Sequence, residues 1–354
     1  MKIIDRYITV ILLLTTTVAL LVLLALFSFL SLVDQLGDVG RGNYDIFKAI
    51  AYVMLTMPRL VYELLPVAAL IGGMTTLGIL AHHSELVIVR AAGVSRARLA
   101  YVMARGGVLI VVFSLIIGEL VAPYCEQSAQ HLRSIALSEK ISLKTRNGFW
   151  SRDGSSFINI RRILPGDQVE DVYIYEFDAD DRLRVSTYAR GGRYVDNQWI
   201  LEDIEQSIIA GGQVTRKEAK LAVWESLLSP DMINLITIRP DYLTLWGLRG
   251  YIAYLKQNGQ NSRRYEQALW SKIVNPFTII ALIVLAVPVV SGYRRTITIG
   301  QSIFTGCLAG LVFHIANQIS GQMGMVYSIN AAISAAVPTV LIAGAIVWLL
   351  RREA

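Results

Sequence analysis

The feature that most constrains this chain is the length of its uncharged runs. Between Arg6 and Asp34 lie 27 residues without a charge, mostly Leu, Val, Ile, Ala and Thr. As a helix they reach about 40 Å, enough to cross a hydrocarbon layer about 30 Å thick with some tilt. A secretory signal has a shorter apolar core and a small-residue cleavage site. This run continues through Phe27, Phe29 and Leu30 and reads as a retained first span. A second run, 21 residues between Glu63 and Glu85, holds Pro66, Gly72, Gly73 and Gly78. Membrane helices tolerate such residues, and the small ones let neighbouring helices approach. A third span runs from Arg105 to about Pro123, with Glu119 near its end, and a fourth lies between Lys272 and Arg294 with Pro276 and Pro288 inside. From Arg295 to Arg351 there are 55 uncharged residues, too many for one crossing. The polar, Gly-rich stretch 318–324 predicts a bend, giving a fifth span near 298–318 and a sixth near 330–350.

The expected architecture is an α-helical membrane protein with six transmembrane helices, three plus three, around an inserted soluble block. Its parts are residues 1–123, 124–262 and 263–354. Composition agrees: 54% of residues are hydrophobic and 17% charged, against roughly 25% charged in a soluble domain. That excludes a cytosolic enzyme. The central block holds 17 basic and 18 acidic residues, so the net charge of +6 belongs to the loops between spans. It is not a nucleic-acid footprint, since no basic face interleaved with aromatics appears. The termini and the 81–105 and 293–297 loops carry ten basic against three acidic residues, and the other side six against six. The positive-inside rule then places both termini in the cytoplasm and exports the central block.

Within that block, residues 147–238 read as β-structure. Asn147-Gly148 and Asp153-Gly154 are turn signals. Short alternating runs follow at 157–160, 172–177, 183–189, 199–204, 214–219, 221–224 and 233–238. Pro165-Gly166-Asp167, Asp178 to Asp181, Gly191-Gly192, Asp196-Asn197 and Gly211-Gly212 separate them. Strands at this spacing predict an antiparallel sandwich or jelly roll. Such a sheet can bind an acyl chain, or pair its edge with another protein; an ordinary solvated core fits the composition equally well. Residues 244–257 read as a helix stopped by Asn258-Gly259.

Catalytic motifs are missing. No Gly is followed by Lys, so the chain has no P-loop of its own, and no HExxH, CxxC or nucleophile elbow occurs. His82 and His83 stand beside Glu85, but adjacent helical residues point about 100° apart, so no metal site is expected. His314 in the fifth span is expected to hydrogen-bond in helix packing, with Asn317 and Gln318 nearby. Glu119 is expected to reach water at the outer interface. No disulfide is expected between Cys125 and Cys307. The 81–105 loop is more informative. Leu86, Val89 and Ala92-Gly93 form an apolar stripe while Glu85 and Arg90 stay available; Ser84 can cap a short helix and Gly93 can end it. Such a helix suits docking of a separate motor, and a plain connecting loop held at the headgroups by Arg96, Arg98 and Arg105 is the alternative.

The run S-E-L-V-I-V-R-A-A-G-V-S at 84–95 resembles the coupling helix of the LptF/LptG permease family of the lipopolysaccharide exporter. Similar to the same family are Ile4-Asp5-Arg6-Tyr7-Ile8, V-D-Q-L at 33–36, G-E-L-V-A-P at 118–123, Y-L-K-Q-N-G-Q at 254–260 and W-S-K-I-V-N-P-F at 270–277. The resemblance covers the whole chain, including the three-plus-three layout and an all-β periplasmic jelly-roll domain. It implies an inner-membrane complex with LptF, two copies of the ATPase LptB and LptC, passing lipopolysaccharide on to LptA. ATP and Mg would sit on the partner ATPase, with no cofactor in this chain. It implies a coupling surface of Ser84, Glu85, Leu86, Val89, Arg90 and Gly93, with Glu85 meeting the ATPase groove. It also places cations for lipid A phosphates at Arg59 and Arg133, with Arg41 and Lys48 as looser candidates; arginine's planar fork suits phosphate. The chain departs from some members at the outer end of its first helix, where Ser31, Gly37 and Asp38 stand in place of lysines.

Exposing a buried CH₂ costs about 0.8 kcal/mol, so a twelve-carbon acyl chain costs roughly 9 kcal/mol to wet. Moving one therefore calls for a laterally open apolar chamber; Phe27, Leu65, Phe304, Ile315 and Ile319 are the candidate lining. It also calls for work drawn from a partner. Two other classes stay open at this level: a membrane-anchored sensor or scaffold, and an intramembrane enzyme, for which no catalytic set appears.

Overall fold

The computed structural model describes residues 2–137, 149–153, 156–164, 168–178, 182–195, 198–210, 213–224, 240, 243–291, 298–327 and 329–352. The first half contains α1 (Lys2–Leu36), α2 (Ile46–His82), α3 (Glu85–Ala91), α4 (Arg96–Ile116), a π-turn (Ile117–Val121) and α5 (Ala122–Leu137). Six strands follow: β1 (Phe149–Asp153), β2 (Ser156–Leu164), β3 (Gln168–Phe177), β4 (Leu183–Val195), β5 (Gln198–Ala210) and β6 (Gln213–Trp224). The chain then forms α6 (Leu245–Gln257), α7 (Arg263–Ser291), α8 (Ile299–Val326) and α9 (Ala331–Arg352). Among the described residues, six helical segments are long and apolar enough to cross a membrane.

Helices in lipid gain little from hiding apolar surface from one another, so they associate through close packing and polar contacts. α2 is the hub on which this happens. Most of its apolar window is buried, 72% against 11% for α1. Ile8, Leu12, Thr16 and Leu20 of α1, four residues apart, are buried, and Thr16 is the one that faces α2 at Gly72. At Gly72 the backbones come so close that an added Cβ would lie 2.6 Å from Thr16 Cα. Thr15 donates to the Gly72 carbonyl at 2.9 Å, and its Oγ1 lies 2.8 Å from Thr76 Oγ1. On another side Gly78 meets α8, where a Cβ would come within 2.7 Å of Ser302 Cβ. Leu70, Met74 and Leu77 of α2 fill the core with Ile279, Leu282 and Ile283 of α7.

Three boundaries differ from expectation. α2 starts at Ile46, well before Glu63, because Asp45 caps it by accepting from Lys48 N at 2.9 Å. Its extra turns pack through Tyr52 and Val53 on Ala129 of α5. The third span does not stop at Pro123: the π-turn carries the helical path into α5, and Pro123 lies near that new start, where a missing N–H is tolerated. The bend expected at 318–324 lies inside α8, which ends at Val326. The glycines there serve packing: a Cβ on Gly324 would come 2.6 Å from Ser334 Cβ, and Ser320 donates to the Ser334 carbonyl at 2.6 Å.

The inserted β domain is present. Its six described strands form one antiparallel sheet in the order β1 to β6, each paired with the next. Ile158, Ile160, Val172, Ile174, Ala189 and Leu201 fill one face, where Tyr251, Tyr254 and Leu255 of α6 pack against them. Thus part of this apolar face is covered by a helix of the same chain, as an ordinary core would be. Gly191 and Gly192 do not separate strands. They sit inside β4 opposite Glu202 and Leu201, and Gly192 leaves room for Leu201 and Val169. The runs at 214–219 and 221–224 are one strand, β6, and β1 went unread. Asn147-Gly148 and the run at 233–238 lie outside the described residues.

Gly72→Ala tests the hub. Overpacking of this kind costs about 1–3 kcal/mol, so the purified protein should melt several degrees lower. Gly300→Ala, where a Cβ meets nothing within 4 Å, should leave the melting temperature unchanged.

Candidate functional sites at the two ends of the bundle

At the end that carries the N-terminus, α3 is a seven-residue helix anchored from beneath. Leu86 is buried in the bundle core, and Val89 lies with Ile4, Ile8, Val94, Leu99 and Val102 around a small apolar gap. Gly93 ends the helix with φ +84°, a conformation glycine adopts without strain. Its N–H bonds Arg90 O at 3.0 Å and the Val94 N–H bonds Val89 O at 3.3 Å, the paired bonds of a Schellman stop. Ser84 does not cap α3: it sits at φ 61° and its side chain makes no capping bond.

Leu86 and Val89 of the expected stripe therefore face inward, Ala92 and Gly93 are exposed, and the outward apolar pair is one that the sequence reading did not single out. Val87 and Ile88 are each 66% exposed, beside exposed Arg90 and half-buried Glu85. The signal was available, since α3 is apolar on both faces and so needs cover on both. One contact joins the helices beneath α3 and a second reaches α3 itself. Arg98 of α4 donates to Asp5 Oδ2 of α1 at 2.8 Å, and Tyr7 Oη donates to Glu85 Oε1 at 3.3 Å.

At the opposite end the four candidate cations have protein partners. Arg59 lies 3.1 Å from Glu63 Oε1 and 3.2 Å from Glu126 Oε2, so it ties α2 to α5. Arg133 and Arg41 share Asp38, each at 2.7 Å. Lys48 Nζ donates to the Asn43 carbonyl. The hydrogen bond from Arg133 holds the Asp38 carboxyl below its usual value of 3.8. A depressed carboxyl keeps its stabilising pairing above that range and loses it as pH falls through the lowered value, so the tie is intact at neutral pH. The two groups differ in sign. Arg59 faces two carboxylates, whereas Asp38 faces two arginines and leaves one positive charge in excess, with Arg41 72% exposed. Asp38, noted only as a departure, turns out to organise the cationic group.

Glu119 stays partly exposed and is also tied into the fold. It lies on the π-turn and pairs through Oε1 with Lys272 Nζ of α7 at 2.9 Å. Its Oε2 accepts the N–H of Leu245, the first residue of α6, at 2.8 Å.

Of the chamber candidates, Leu65 is 2% exposed and belongs to the core of α2, so it cannot face a lateral opening. Phe27 of α1 and Phe304, Ile315 and Ile319 of α8 are exposed. So are His314, Asn317 and Gln318, so the packing expected of His314 is not made within this chain. The outer face of α8 thus mixes large apolar and polar side chains midway along a membrane helix.

Comparison with known proteins agrees with this layout. Residues 6–352 match the family described as "Lipopolysaccharide export system permease LptF/LptG". The chain is 35% identical over 351 residues to the "Lipopolysaccharide export system permease protein LptG" of Haemophilus influenzae, covering 99% of this chain and 98% of that protein. It is 32% identical over 354 residues to the protein of the same description from Escherichia coli strain K12, covering 99% and 98%.

Arg98→Ala should loosen α3. A half-exposed ion pair contributes about 0.5–1 kcal/mol, so amide exchange across residues 85–94 should speed roughly two- to fivefold, read by hydrogen-exchange mass spectrometry.

Proposed function

Since the chain belongs to the LptF/LptG family of lipopolysaccharide export system permeases, we propose that it is the membrane subunit through which lipopolysaccharide leaves the outer leaflet of the inner membrane. The observation that carries this reading is α3: a short helix pinned inward by Leu86 and presenting Val87, Ile88, Arg90 and Glu85 outward. That is the surface a chain without a P-loop needs in order to take force from an ATPase. Both termini and α3 then lie in the cytoplasm and the sheet in the periplasm. Two LptB subunits bind ATP and Mg; LptF is the second permease; LptC joins the complex and LptA receives the lipid.

The exposed faces of α1 and α8 support a partnered chamber. A polar residue facing hydrocarbon is costly, so His314, Asn317 and Gln318 suit a wall shared with a partner and a substrate better than a lipid contact. Acyl chains meet Phe27, Phe304, Ile315 and Ile319. At the sheet end, the single excess charge of the Arg41–Asp38–Arg133 group fits a lipid A phosphate. Arg59, facing two carboxylates, holds α2 to α5. The scaffold alternative has no use for an anchored docking helix.

Val87→Asp with Ile88→Asp should weaken capture of the ATPase from co-expressed membranes at least about thirtyfold, the scale of a lost interface anchor of about 2 kcal/mol. Glu85→Lys should act in the same direction and leave lipopolysaccharide in the inner membrane. Normal ATPase capture and export in both variants would reject the coupling role. Photo-crosslinkers at positions 41 and 133 should trap lipopolysaccharide more than one at position 59; equal labelling at all three would remove the assignment.

A further inference from the structure

Lys272 is 7% exposed, and its only described carboxylate partner is Glu119 on the π-turn. A buried pair of this kind gives little net stability when compared with an apolar pair of the same size, so its placement calls for another account. The π-turn supplies one. Its wider hydrogen bonding, Ala122 N–H to Ile117 O, offsets the helix path. That offset brings Gly118 under the Tyr62 ring and its carbonyl to 3.4 Å from Lys272 Nζ. Lys272 thereby aims one carboxylate oxygen, and the other is left for α6.

α6 is the helix on which the sheet rests, through Tyr251, Tyr254 and Leu255. It is held at both ends. Lys256 pairs with Glu266 of α7 at 2.7 Å near its C-terminus, and Glu119 accepts Leu245 N–H at its N-terminus. A carboxylate at a helix N-terminus is favourably placed against the helix dipole. Thr244 already accepts Gly247 N at 3.1 Å, so Glu119 adds a second, distant cap to the same first turn.

We propose that Glu119 is a positioning residue for the export step: its hydrogen bond from Leu245 seats α6, and with it the sheet, over the membrane bundle. The inference rests on the permease reading. It assigns the effect to the cap on α6 and not to the charge of the ion pair.

Two double variants separate cap from charge in the complete complex with its ATPase, reconstituted in vesicles containing lipopolysaccharide. E119Q/K272M removes both charges and keeps an oxygen to accept from Leu245. E119M/K272M removes both charges and the acceptor. Neither leaves a lone buried charge, so both should fold with melting temperatures near the parent's. ATP hydrolysis should stay within about twofold of the parent in both, because α3 is untouched. Delivery is read by a photo-crosslinker at Thr215, which is exposed on β6 opposite Ile208 of β5. It should be near the parental level in E119Q/K272M and lower by roughly fivefold in E119M/K272M, the order expected for one lost hydrogen bond. Equal delivery by E119M/K272M and the parent would overturn the proposal, as would an equal fall in both variants. A parent complex that hydrolyses ATP yet labels no lipopolysaccharide on the sheet would overturn the permease reading itself.

Discussion

Everything in the bundle depends on how closely other helices can approach α2. Lipid offers no hydrophobic reward for bringing apolar helices together, so contact must come from fit and from buried polar bonds. Gly72 and Gly78 remove the Cβ atoms that would hold α1 and α8 away, and the Thr15–Thr76 contact supplies a polar bond where the first of these gaps closes. With α2 held centrally, its neighbours are fixed along its whole length. The short α3 at one end and the Asp38 group at the other are therefore parts of one rigid frame.

That frame gives α1 a role beyond spanning. Near its start Asp5 and Tyr7 touch Arg98 and Glu85, and just beyond its end Asp38 meets Arg133. One helix thus links the surface proposed to receive force with the surface proposed to meet phosphate. A helix of 35 residues is about 52 Å long, so an axial shift at one end reaches the other without a separate relay.

The six crossings and the strand-rich insert were legible because uncharged length and alternation are properties of the chain itself. Places where a residue's use depends on a distant partner were less legible. Gly191 and Gly192 look like a turn until Leu201 and Val169 are seen to need their space. Gly324 looks like a bend until Ser334 appears beside it. Arg59 looks like a free cation until Glu126, 67 positions away in the chain, is found beside it. The short helix α3 was legible from its motif, with Glu85 and Arg90 left available, but Leu86 and Val89 turn inward and Val87 and Ile88 outward. A stripe of Leu86 and Val89 is equally consistent with facing in or out, and only the position of α1 and α4 decides.

The outer face of α8 carries a consequence for this polypeptide on its own. A solitary copy would present imidazole and carboxamide groups directly to acyl tails, where each is costly. The same side chains that suit a shared wall therefore make separation of this subunit into lipid unfavourable.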